Sequence, residues 1–78
     1  MPLIVQVPGI HGGEPVVRGT RVPVRSIVIA YERDGDINHV ARSFTLNPQQ
    51  VAAALTYYQQ HTDEIDRLIQ EREREAMV

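Results

Sequence analysis

Residues 9–26, GIHGGEPVVRGTRVPVRS, hold four of the chain's five glycines, Pro15 and Pro23, and three of its eight arginines. Glycine supplies backbone shapes that other residues avoid, and proline fixes φ and removes a hydrogen-bond donor. A segment so punctuated cannot run on as one helix or one long strand. It has to be a stiff, turn-rich platform from which Arg18, Arg21 and Arg25 project. Such a platform can serve the fold, an interface or a nucleic acid.

With 78 residues the chain makes one small domain. A domain of this size hides only about 60% of its unfolded surface, so its core is marginal. The 42% hydrophobic content is that of a folded protein. There is no cysteine, hence no disulfide and no thiolate metal site. Oligomerisation or a partner is the expected extra source of stability, with a homodimer as the first expectation. No apolar run approaches a membrane span and no signal-peptide pattern opens the chain, so the expected location is cytoplasmic, with no membrane association. The net charge of −2 argues against a non-specific grip on nucleic acid over the whole surface. Every basic side chain other than histidine is arginine, the residue suited to bidentate contacts and ion pairs.

Leu3–Val7 is a β-branched run closed by Pro8-Gly9 and reads as a strand, to be paired within one chain or between two. Gly12-Gly13 is a turn. Val16-Val17 and Thr20–Val22 are short extended pieces around Arg18-Gly19. Pro23 suits the first position of a helix running from Val24 to about Asp34, with Val24, Ile27, Val28 and Tyr31 inward and Gly35 as its stop. Asp36 caps a second helix over Ile37–Phe44, with Ile37, Val40, Ala41 and Phe44 inward. Asn47-Pro48-Gln49-Gln50 is a capping box opening a third helix to about His61, whose core face is Val51, Leu55 and Tyr58. Thr62, followed by Asp63 and Glu64, starts a fourth, amphipathic helix over 62–78 with Ile65, Leu68 and Ile69 as its apolar stripe. Residues 1–61 therefore form a β element plus helical core, and 62–78 a C-terminal helix, within one domain. The expected fold is mainly α.

Residues 37–56 fit a helix-turn-helix pattern, although the turn Thr45-Leu46-Asn47 lacks the usual glycine. DNA reading would fall to the third helix through Asn47, Gln49 and Gln50, with phosphates held by Arg18, Arg21, Arg25 and Arg42. The plain alternative is a tri-helical core with a polar face. Likewise, Arg18 and Arg21 either pair with Glu14, Glu32 or Asp34, or meet phosphates or a partner. The C-terminal helix either packs back on the first and third helices or binds a partner protein through Ile65, Leu68, Ile69 and Arg72. His11, His39 and His61 lack metal-ligand spacing, and no phosphate loop follows Gly12-Gly13, so neither catalysis nor a cofactor is expected.

The stretch GGEPVVRGTRVPV resembles the signature of a small prokaryotic family catalogued as domain of unknown function 433. The matching positions are Gly12, Gly13, Pro15, Val17, Gly19, Thr20, Arg21, Val22, Pro23 and Val24, and the tail at 57–73 is similar to family tails. The resemblance implies a homeodomain-like, tri-helical fold with an N-terminal β element, often dimeric. It further implies an antitoxin of a type II toxin–antitoxin pair that silences a PIN-like ribonuclease toxin and represses its own operon. A dimeric DNA-binding repressor without a toxin partner, or a structural dimer, is the alternative. The chain departs from the family at Gly35–His39, where members often carry a segment like Ser-Pro-Glu-Glu.

Overall fold

The computed structural model describes residues 1–76; positions 77 and 78 of the expected C-terminal helix lie outside the described residues. The order is β1 (Ile4–Gln6), a one-turn 3-10 segment (His11–Gly13), β2 (Pro15–Val17), α1 (Val24–Asp34), α2 (Ile37–Phe44), α3 (Pro48–Gln60) and α4 (Thr62–Ala76). The fold is mainly helical, with a short two-stranded element at the N-terminus.

The strands pair antiparallel within the chain, Ile4 opposite Val17, Val5 opposite Val16 and Gln6 opposite Pro15. A two-stranded ribbon is marginal on its own. This one leans on the helices through Val17, which joins Val24, Ile27, Val28, Val40, Ala41, Val51, Ala54 and Ile65 in a single buried cluster. Every helix and β2 contributes to it. Burying each of these larger side chains is worth about 1.5–3 kcal/mol. Val16, on the opposite face of the ribbon, is also fully buried but stands apart from that cluster.

Local chemistry sets the helix ends. Pro23 is extended (φ −78°, ψ 149°) and stands at the cap of α1, one position before the expected one. Gly35 closes α1 at φ 69°, the left-handed shape in which a side chain would clash with its own backbone. Asp36 accepts from the Asn38 and His39 amides to start α2. The capping box of α3 is complete: Asn47 accepts from the Gln50 amide, and the Gln50 side chain accepts from the Asn47 amide. Tyr31, Ile37, Phe44, Leu55 and Tyr58, expected inward, are only half-buried, because each lies on the flank of its helix.

Candidate functional site

The glycine–proline segment is a bracket built on backbone geometry. Gly19 turns the chain at φ 79°. Thr20 Oγ1 then donates to the Val17 carbonyl at 2.8 Å and accepts from the Val22 amide at 3.0 Å, which locks the return towards α1. The His11 ring donates from Nε2 to the Arg21 carbonyl at 2.9 Å, tying the two turns of the segment together. The turn geometry and these bonds account for Gly19, Thr20 and Val22 structurally, but they use only the backbone of Arg21.

Glu14 is the buried centre of this bracket, its side chain 3% exposed. Arg25 Nε of α1 lies 2.8 Å from its Oε1, and Arg72 Nη2 of α4 lies 3.0 Å from its Oε2. A carboxylate out of water needs such compensation. The pairing also raises the Arg72 guanidinium above its ordinary pKa, first through its hydrogen bond to Glu14 and then through the charge of Glu14. This corrects the expected partners: Glu14 takes Arg25 and Arg72, not Arg18 or Arg21. Arg25 is therefore engaged inside the fold and withdrawn from a phosphate-binding set.

The C-terminal helix packs back. Ile65 is fully buried, so it presents nothing to a partner; Leu68 and Ile69 are half-buried against the core, and Arg72 is held by Glu14 and Glu75. Two phenols fasten the α3–α4 junction, Tyr57 donating to Glu64 at 3.1 Å and Tyr58 to Asp66 at 2.7 Å. Both pKa values rise above 10.0. For Tyr57 the first cause is burial, then the charge of Glu64. For Tyr58 it is the hydrogen bond to Asp66, then burial.

Uncommitted polar side chains lie elsewhere. Arg18, Arg21 and Arg42 are exposed, and none has an ion-pair partner among the described residues. Arg42 sits in the last turn of α2, beside the tight connection to α3. There Thr45 stands in for the absent glycine at φ 57°, and its amide and that of Leu46 close back on Arg42 and Ala41 at 3.2 and 2.8 Å. Of the three polar residues expected to read bases, Asn47 and Gln50 hold each other in the capping box, which leaves Gln49 as the uncommitted one.

A groove of about 500 Å³ that sequence reasoning missed runs along the flank of α3 between α1 and α2. Val28, Tyr31, Ile37 and Leu55 form its apolar wall, and Glu32 is the charged residue that lines it. The sequence carries no separate signal for it, because Tyr31, Ile37 and Leu55 read there as inward residues and only the fold leaves them half-exposed. The histidines have local contacts: His11 with Arg21, His39 with Asp34, and His61 stacked on Tyr57 with ring centroids 4.1 Å apart. Among the described residues no group of His, Asp and Glu is arranged to hold a metal ion, and no helix is long and apolar enough to cross a membrane.

A family model described as "Protein of unknown function (DUF433)" matches residues 4–58. In structure the chain is similar to a DUF433 member protein from Anabaena variabilis ATCC 29413, with TM-score 0.80 and 30% identity over 88% of this chain and 69% of that one. That share is larger than residues 1–58 alone can supply, so the likeness reaches into α4. No curated protein matches the chain.

Proposed function

The chain belongs to the DUF433 family, and from that premise we propose that it is a cytoplasmic, non-enzymatic binding protein, the antitoxin of a type II toxin–antitoxin pair. It binds and inhibits a PIN-like ribonuclease partner, and as a homodimer it represses its own operon through α2, the turn at Thr45 and α3, read as a homeodomain-like helix-turn-helix. The observation that carries the DNA half is the contrast in arginine use. Glu14 takes Arg25 and Arg72, while Arg18, Arg21 and Arg42 stand exposed without acidic partners among the described residues. Phosphates are the counter-charge that such arginines fit, with Gln49 at the start of α3 to meet a base edge. The toxin half rests on the family resemblance of the signature segment. A homodimer would cover the apolar concavity lined by Val5, Val7 and Ile10 on the outer face of the ribbon.

The test is co-expression with the product of the neighbouring reading frame, which this reading expects to be a PIN-like ribonuclease. Co-purification with loss of RNA cleavage is expected; full cleavage in the presence of excess chain overturns the antitoxin reading. Deleting residues 62–78 is not a clean probe, because it removes Ile65 from the core. The second reading, a repressor without a toxin, draws on the same three arginines. It stands if the chain shifts its own promoter with steep salt dependence while leaving the ribonuclease active.

A further inference from the structure

We infer that the groove between α1 and α3 is the docking site for a basic amphipathic helix of the partner protein. This rests on the reading of the chain as a binder of another protein and names the surface and the chemistry it recognises.

Shape is the first argument. Ala52, Leu55, Thr56 and Gln59 line one side of the groove. Their spacing is i, i+3, i+4, i+7, so the groove follows the α3 axis for about two turns, or about 10 Å. Val28 and Tyr31 of α1 form the opposite side, and Ile37 of α2 contributes to the apolar wall. Ala52 is exposed and small, leaving a notch where a large side chain can enter. A volume of about 500 Å³ lies within the range of pockets that bury a ligand's apolar groups. A helix that lays its i, i+3/i+4 and i+7 side chains into such a trough is an established mode of recognition.

Charge is the second argument, and it selects the occupant. The charged residue in the lining is Glu32, which is exposed and has no ion-pair partner among the described residues. Tyr58 lines the same groove and donates to Asp66, so two carboxylates flank this end; the pKa of the phenol is raised by both. Although the chain is rich in arginine, none lines the groove. An apolar trough ending in acids beside a phenol ring fits a helix whose large apolar residues are flanked by arginine or lysine. The cation would meet Glu32 and the face of Tyr31 or Tyr58.

Two measurements test this. In the first, an isotope-labelled chain is titrated with a synthetic amphipathic helix carrying leucines at i, i+4 and i+7 flanked by arginines, and with the same peptide carrying glutamates. Methyl shifts centred on Val28, Ile37 and Leu55, with the basic peptide at least tenfold tighter and the preference reduced in Glu32→Gln, are expected. Shifts centred elsewhere, or equal binding of both peptides, overturn the inference. In the second, the neighbouring ribonuclease is titrated against Ala52→Arg, which fills the notch without removing a core side chain, and against Arg67→Ala on α4. A tenfold or greater loss with Ala52→Arg alone, at unchanged Tm, supports the groove. Unchanged affinity for Ala52→Arg overturns it while leaving the antitoxin reading intact. Failure of the unaltered chain to bind the ribonuclease overturns the antitoxin reading, and the peptide titration then decides the groove by itself.

Discussion

The seam between the glycine-rich bracket and α4 differs sharply from the surface around the α2–α3 turn, although arginines mark both. At the seam the buried carboxylate and the two phenols are matched: Glu14 lies between Arg25 and Arg72, and Tyr57 and Tyr58 bind Glu64 and Asp66. Around the turn and the Arg18–Arg21 loop, the exposed arginines have no acidic partner among the described residues. Residue type therefore does not separate ion-paired from unpaired arginines in this chain. Glu14 does, by drawing in the two that can reach it. The seam holds the fold together, and the unpaired arginines are the ones on which the proposed DNA contacts would rest.

The largest expected effect comes from breaking the seam at its centre. Glu14→Ala leaves Arg25 desolvated without a counter-charge, a loss of about 3–5 kcal/mol. For a domain of this length that is a large part of the whole stability, and Tm should fall by more than about 10 °C. Denaturant unfolding measures it. Replacing Glu14 and Arg25 together by methionine removes both buried charges and should recover most of the loss. If Glu14→Ala costs less than about 1 kcal/mol, the seam is not a buried ion pair in solution and the comparison fails.

A smaller effect sharpens the other end of the seam through pH. Tyr57 and Tyr58 titrate above their ordinary value when folded, so above about pH 10 the fold binds more protons than the unfolded chain. Their contribution is fully present below the unfolded value, near 10, and is lost as pH rises through the raised folded values. Urea midpoints from about pH 8 to about pH 11 should decline for the natural chain. The Tyr57→Phe, Tyr58→Phe double variant should start lower at neutral pH and decline less steeply. Parallel slopes for the two proteins would mean that the phenols do not fasten α4.

Much of the fold was legible because its signals are local. Gly35, Asp36, the Asn47–Gln50 box and Thr62 mark helix ends by chemistry that acts over four residues or fewer, and the bounds follow within a residue, except the expected end at 78, which lies outside the described residues. The seam was not legible, because Glu14 and Arg72 are 58 positions apart and no spacing rule joins them. A clue was present all the same. Glu14 adjoins Pro15, Val16 and Val17, all buried, and an acid entering a buried strand must find a cation. The α2–α3 turn teaches a related point. Without glycine there, Thr45 takes the left-handed shape itself, at about 1–2 kcal/mol, because the amides of Thr45 and Leu46 close the end of α2. The candidate site was legible by residue type but not by role. The sequence offers Asn47 and Gln50 both as a capping box and as base readers, and in the fold the box uses the side-chain oxygens of both.

The smallest effect on stability should come from the open face, and that is its signature. Arg18→Ala, Arg21→Ala and Arg42→Ala remove exposed side chains with no ion-pair partner among the described residues, so each should change stability by no more than about 0.5 kcal/mol. If these residues hold phosphates, each substitution should lower the slope of log affinity against log salt by about 1 on the chain's own promoter, across specific and non-specific sequences alike. Arg25→Ala should behave the opposite way: a large loss of stability, and an unchanged salt slope for whatever fraction stays folded. Gln49→Ala should leave the salt slope alone and relax preference at one base position by about 1–3 kcal/mol. Should Arg25 alter the slope while Arg18, Arg21 and Arg42 do not, the division between seam and open face would be drawn in the wrong place.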